Sequence, residues 1–486
     1  MNVVFATSEV APWSKSGGLA DVSSALPIAL AALGVRMTVV TPLYQGIDRT
    51  PMERIARGLG VPLGGDRMHA DVWHLRSHGV DWLFLDPPGF FERPYLYGPP
   101  GGEYNDNAFR FAFLARGALE VALEQDLRPD VFHANDWHTG LLPLLLRRHL
   151  AHTPLGRART IFTIHNLGYQ GLFQPELIEL LGLGADLRAS HALELEGRLS
   201  YLKTGLAASD VLTTVSPTYA KEIQTHAFGH GLDDVMRARA EVLHGILNGI
   251  DTHAWDPAHD SHLPAHFHAH DLRGKRACKA ALRAELGFPP HDIDARRTPL
   301  LAIVSRLAWQ KGWDLLEPVA DALLYDSPLE IVVLGSGEAR YETFFTSLQA
   351  RHPERVRVRV GGFDEALSHR IEAGADMLLM PSHYEPCGLN QMYSLRYGTI
   401  PIVRATGGLE DTVHDLDDEP ARGTGFKFRE ASADSLRAAV QRALRLYATE
   451  DPWTALMRCA MAADFSWDRA AQKYLALYAI GTSEPA

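Results

Sequence analysis

The stretch KSGGLADV at residues 15–22 returns as TGGLEDTV at residues 406–413. An apolar run precedes each copy, NVVFATSEV before the first and IPIVRA before the second, and a helix-like pattern follows each. This is strand, Gly-rich turn, helix, built twice. Glycine has no Cβ, so the backbone can turn sharply and bring its N–H groups close to a ligand. A helix starting at such a turn offers unpaired N–H groups and its positive dipole end to an anion. One Gly-Gly alone is as readily an ordinary tight turn, but two matching copies in two halves point to a repeated α/β unit.

A chain of 486 residues is too long for one core, and about 100 to 200 residues per domain gives two large domains. In the first half NVVFAT, VRMTVVTP, DWLFLD, DVFHAND, RTIFTIHN and VLTTVSP lack alternating polarity. That pattern predicts strands buried on both faces, in a parallel sheet covered by helices. The rhythm lapses in a polar stretch at 251–271 and resumes with PLLAIVSRL, LEIVVLGSG, RVRVRVGGF and DMLLMPS. The expected fold is therefore two doubly wound Rossmann-like α/β domains, residues 1–247 and 248–465, with an amphipathic segment at 466–486. The polar stretch carries His253, His259, His262, His266, His268 and His270 at spacings that match no structural zinc pattern, and is expected to be a solvated interdomain linker.

With a net charge of −12 and no basic cluster, the chain is a poor partner for nucleic acid or an anionic membrane. Three scattered cysteines, Cys278, Cys387 and Cys459, argue against a disulfide framework or a cysteine zinc site. Neither a signal peptide nor a run of about 18 apolar residues occurs, so a cytoplasmic protein is expected.

GSGEAR has Gly335 and Gly337 but Arg340 in place of a third glycine, an incomplete dinucleotide fingerprint, and no GxxxxGK[ST] pattern occurs. The stronger signals are polar residues just past strand ends, where open α/β sheets bind ligands. SRLAWQKG places Arg306 and Lys311 there, two cations that suit a diphosphate, the lesser alternative being a solvated helix start. EPCGLNQ places Glu385 beside a turn, either to grip sugar hydroxyls or to cap a helix, and FTIHNLGYQG ends a strand in His165 and Asn166.

Taken together, KSGGLADV, HANDWHTG, FTIHNLGYQG, NGID, SRLAWQKG, EPCGLNQ and TGGLEDTV closely resemble bacterial glycogen synthases and plant starch synthases. The motifs run in family order from near Met1 to about Asp468. The resemblance implies a GT-B glycosyltransferase whose two Rossmann-like domains face across a deep cleft and close on the donor. It also implies a C-terminal helix packing back on the N-terminal domain. Lys15, Gly17 and Gly18 would meet ADP-glucose from the N-terminal side. Arg306 and Lys311 would hold the diphosphate, with Thr406 and the N–H groups of Gly407 and Gly408 completing the cradle. Glu385, Cys387 and Gly388 would line the donor glucose, joined by His165, Asn166 and Asn248. Phe363 would stack near adenine, where some relatives have Tyr. Asp136 would lie near the acceptor, and Tyr97, in a Gly/Pro loop, would touch glucan. Tyr95 stands where relatives commonly have Gly.

The implied reaction is transfer of glucose from ADP-glucose to an α-1,4-glucan with retention of configuration, needing no cofactor and no metal. The wider superfamily often has a second Glu eight residues after the first, but Tyr393 holds that position here, so a paired-carboxylate mechanism is not supported. Three alternatives remain open: a glucan-binding scaffold without turnover, a glucosyltransferase using UDP-glucose, and a phosphorylase-like or sucrose-type enzyme sharing the architecture.

Overall fold

The computed structural model describes residues 1–99, 101–290, 298–362 and 364–480. It divides into two units, Met1–Gly249 with the C-terminal segment from Trp467, and Ile250–Ser466.

The first unit contains β1 (Asn2–Ala6), β2 (Arg36–Pro42), β3 (Glu53–Leu63), β4 (Asp66–Ser77), β5 (Val80–Asp86), β6 (Val131–Asn135), β7 (Arg159–Ile164), β8 (Leu172–Phe173), β9 (Glu194–Leu195), β10 (Arg198–Ser200), β11 (Val211–Thr214) and β12 (Leu243–Gly245). Strands β8, β10 and β9 form a small antiparallel sheet. The other nine form one sheet in the order β12-β11-β7-β6-β1-β2-β5-β4-β3, parallel from β12 to β5. The last two strands are an antiparallel hairpin. Helices Gly18–Ala32 and Trp467–Ala479 bury Leu26, Leu30, Tyr474 and Tyr478 in one core with Val3, Phe5 and Val39. The final helix is thus part of the first unit, and Tyr478 Oη hydrogen-bonds His133 Nδ1 at 2.7 Å.

The second unit contains β13 (Leu300–Val304), β14 (Glu330–Leu334), β15 (Val356–Arg359), β16 (Met377–Met380), β17 (Ile400–Arg404) and β18 (Phe426–Phe428), all parallel, in the order β15-β14-β13-β16-β17-β18. Strands β13, β14, β16 and β17 are buried along their whole length, which is why their sequences do not alternate.

Each sheet reverses its strand order once. In the first unit β1 is followed by β2 on one side while β6 returns on the other; in the second, β13 and β16 are related in the same way. Open parallel sheets bind ligands beyond the carboxyl ends of the strands that flank such a reversal. The connection leaving β1 leads to Lys15–Gly18, and the one leaving β6 begins with Asp136; Arg306 and Lys311 follow β13, and Glu385 follows β16.

The polar stretch at 251–271 is not a solvated linker. Its six histidines are exposed, but its apolar side chains dock on the second unit. Trp255 stacks between His369 and Tyr393, with ring centroids 3.7 and 3.8 Å away. Buried Asp260 accepts hydrogen bonds from His369 Nδ1 at 2.7 Å and Tyr397 Oη at 2.5 Å. A few apolar residues dispersed among polar ones are enough to pin an irregular segment, and no periodicity announces them. Tyr393, at the position of the superfamily's second carboxylate, is one wall of this stack.

Candidate active site

In the first unit the turn after β1 is organised by a residue absent from the sequence-derived set. Glu9 is buried, and its carboxylate takes four donors. Oε2 accepts from the N–H groups of Ser16 at 2.6 Å and Gly17 at 3.3 Å; Oε1 accepts from Ser16 Oγ at 2.6 Å and from Tyr97 Oη. Burial pushes the Glu9 carboxyl above its usual range, and these hydrogen bonds pull it back. Gly17 caps helix Gly18–Ala32 without a side-chain hydrogen bond; the first turn carries Asp21, and Glu9, from outside the helix, accepts the N–H of Gly17. Gly17 and Gly18 are exposed, and a Cβ added to Gly17 would meet nothing within 4 Å. Lys15 is exposed and pairs with Asp21 at 2.7 Å. Tyr97 is less available to glucan than its loop suggested: its hydroxyl also bonds Ser8 Oγ at 2.9 Å, and its ring stacks on His138 at 4.6 Å.

Asp136, just past β6, has φ +53°, a left-handed conformation that costs energy and recurs at functional positions. Its Oδ1 accepts from the N–H groups of His165 at 2.7 Å and Asn166 at 3.4 Å, drawing the ends of β6 and β7 together. Burial pushes the Asp136 carboxyl up to about 7; the two N–H bonds oppose the shift, and the charge of Glu9 adds to it. Desolvation lowers His165 to about 3, so the imidazole is neutral at physiological pH. Its Nε2 lies 3.0 Å from Asn135 Oδ1, while Asn135 Nδ2 donates to Ala6 O. Asn135 Oδ1 can only accept, so His165 carries its proton on Nε2 and keeps a lone pair on Nδ1. Asn248 is buried, and its Oδ1 has no hydrogen-bond partner among the described residues.

A raised folded-state pKa on an acid means that folding favours the protonated form. The associated stability is complete below the unfolded value of about 3.9 and is lost as pH rises through the folded value of about 7. Asp136→Asn imitates the protonated acid. The Tm difference between Asp136→Asn and the parent should grow in the variant's favour from pH 4 to pH 7 and then level off. A difference independent of pH would show that Asp136 titrates normally.

In the second unit Lys311 Nζ pairs with Glu385 Oε2 at 2.6 Å, their side chains only 14% and 6% exposed, and Ser382 Oγ donates to the same oxygen at 3.0 Å. Arg306 is exposed, and its Nη2 donates to Gln310 Oε1 at 3.1 Å. Gly312, at φ +74°, lets the chain pass β16: a Cβ there would lie 2.0 Å from Pro381 O.

The second Gly-Gly turn differs from the first. A Cβ on Gly407 would sit 2.0 Å from Glu385 O, and one on Gly408 would sit 2.0 Å from Cys387 O. These glycines allow two protein loops to close on each other. The expectation that the Gly408 N–H completes a phosphate cradle is corrected, because that N–H is donated to Glu385 O at 3.0 Å. Thr406 is buried at the start of the same helix, Gly407–Thr412. Cys387 is buried, and Gly388, at φ +70°, turns the loop beneath Gln391, which bonds Cys387 O at 3.0 Å and Thr412 Oγ1 at 3.1 Å. Phe363 lies outside the described residues.

The candidates thus fall into two sets, one past the strand ends of each unit. Glu9 escaped the sequence because its key partner, Tyr97, is 88 residues away. The only local signal was a carboxylate between a buried strand and a glycine turn.

Comparison with known proteins bears on both sets. Residues 2–238 match the family model for the starch synthase catalytic domain, and residues 293–454 match that for glycosyl transferases group 1. The chain is 51% identical over 480 residues to the glycogen synthase of Anaeromyxobacter sp. (strain Fw109-5), covering 98% of this chain and 99% of that protein. It is 48% identical over 486 residues to the glycogen synthase of Myxococcus xanthus (strain DK1622), covering 98% and 99%. Among solved structures, the catalytic domain of starch synthase IV from Arabidopsis thaliana, bound to ADP and acarbose, superposes with a TM-score of 0.90 at 34% identity over 99% of both chains. Sucrose-phosphate synthase from Thermosynechococcus elongatus shares the fold, with a TM-score of 0.61 at 18% identity over 98% of both chains. With these two α/β units and this order of motifs, the chain belongs to the glycosyltransferase family of bacterial glycogen synthases and plant starch synthases.

Proposed function

We propose that the protein is a glycogen synthase that transfers glucose from ADP-glucose to the non-reducing 4-hydroxyl of an α-1,4-glucan, with retention at C1. The observation that carries this is the Lys311–Glu385 pair with Arg306 at the strand reversal of the second unit, in a chain so close to named glycogen synthases. A starch synthase with 34% identity binds ADP and acarbose, which supports an adenine nucleotide and a glucan as ligands.

In this mechanism the ADP side departs first, so negative charge grows on the diphosphate while C1 becomes oxocarbenium-like. Arg306 and Lys311 stabilise that growing charge, which lowers the barrier because the interaction is stronger in the transition state than in the ground state. As Lys311 turns toward the diphosphate, Glu385 is released to orient glucose hydroxyls. The position eight residues after Glu385 holds Tyr393, stacked on Trp255, and not a second carboxylate. Attack therefore occurs on the same face, with the departing phosphate taking the acceptor proton. His165 is neutral and shapes the C1 site without supplying a proton. Asn248, with its unsatisfied buried oxygen, offers an acceptor to a ligand hydroxyl. The two cations replace a metal as the diphosphate clamp, so activity should persist without divalent ions.

The test is transfer of labelled glucose into glycogen from ADP-glucose and UDP-glucose in parallel, with EDTA present. Incorporation from ADP-glucose alone is expected. Incorporation mainly from UDP-glucose would overturn the donor, and activity restored only by added Mg²⁺ would overturn the metal-free clamp. Glycogen binding without incorporation would replace the enzyme with a scaffold.

A further inference from the structure

We propose that Glu9 is a positioning residue that ties the Lys15–Gly18 turn to the loop carrying Tyr97, so that a ligand on one of these surfaces changes affinity at the other. The inference rests on the transferase reading and on the expectation that the turn meets the nucleotide sugar and that the loop around Tyr97, whose own hydroxyl is spent inside the protein, meets glucan.

The connection is short and complete. Ser16 and Gly17 give their N–H groups to one Glu9 oxygen; Ser16 Oγ and Tyr97 Oη give protons to the other. Tyr97 spends its proton on Glu9, so it accepts from Ser8 Oγ at 2.9 Å, and the chain of donors runs Ser8 to Tyr97 to Glu9. Glu9 is only 3% exposed, so water does not readily replace the hydrogen bonds that its carboxyl group accepts. Neither loop can shift alone without breaking one of them. The turn has no side-chain cap of its own at Gly17, so its shape depends on this carboxylate. Beside Tyr97, the buried Nδ1 of His138 has no hydrogen-bond partner among the described residues.

The experiment measures ADP affinity of the full chain by calorimetry, with and without saturating maltohexaose, in the parent, Tyr97→Phe, Glu9→Gln and Glu9→Ala. Maltohexaose should change the parent's ADP Kd by about fivefold or more, the lower end of ordinary coupling between sites. Tyr97→Phe keeps the ring on His138 and removes one hydroxyl; it should reduce the factor to less than about twofold. In Glu9→Gln the amide oxygen can still accept from the two N–H groups while its NH₂ donates to the two hydroxyls, which can rotate. It should therefore retain more of the coupling than Glu9→Ala, an ordering that loss of negative charge alone does not produce. A parent that shows no effect of maltohexaose, or a Tyr97→Phe variant with the parental factor, overturns the proposal even if Glu9→Ala fails to fold. Glucose incorporation by the parent, assayed separately, judges the transferase reading: an active parent without the maltohexaose effect sinks the coupling alone.

Discussion

Glu385→Ala is expected to destabilise the second unit by about 3 to 5 kcal/mol and to lower kcat by about 10²-fold or more. The stability loss follows from where Lys311 is left. Its side chain is 14% exposed, and its ammonium pairs at 2.6 Å with the carboxylate of Glu385, whose side chain is 6% exposed. Removing one member of a buried pair strands the other charge, whereas replacing both by apolar side chains is often neutral. The double variant Lys311→Met/Glu385→Leu should accordingly recover most of the stability while staying inactive. Urea unfolding and kcat measured on both variants separate the two roles. Restored turnover in the double variant would reduce the pair to a structural one, and an unchanged midpoint in Glu385→Ala would mean that Lys311 has another compensating charge.

Arg306→Ala should lower kcat by about 10²-fold or more while changing stability by no more than about 0.5 kcal/mol. Arg306 is exposed, and its bond to Gln310 joins one side chain to another just past the strand end. Arg306→Lys should recover only part of the rate, because a compact ammonium lacks the planar fork that engages two phosphate oxygens together. The informative comparison is between kcat and KM for ADP-glucose. A rise in KM at constant kcat would place Arg306 in ground-state binding, and a near-normal kcat would remove it from the chemistry.

Much of the fold was legible because buried parallel strands leave an unmistakable local mark. LLAIV is apolar throughout, and EIVVL and IPIVR are apolar at four successive positions, because helices cover both faces of the sheet. The hairpin of β3 and β4 escaped the same reading, since strands at the margin of a sheet that are only partly buried mix polar and apolar residues. Trp255 and Asp260 escaped it too, because a docked irregular segment has no period to detect.

By itself the sequence determined two α/β units, the order of their motifs, the family, and the residue types that stand past each strand end. Those properties are local: they follow from side-chain periodicity, glycine placement and short runs of residues. Only the tertiary structure decided that the two Gly-Gly turns, alike in sequence, do different work. The first is open to solvent and held by Glu9; the second is pressed against the carbonyls of Glu385 and Cys387. It also paired Lys311 with Glu385, Asn135 with His165, and Tyr97 with Glu9. Such pairings depend on which strand ends the sheet order brings side by side, and no local pattern records contacts between residues 30 to 88 positions apart.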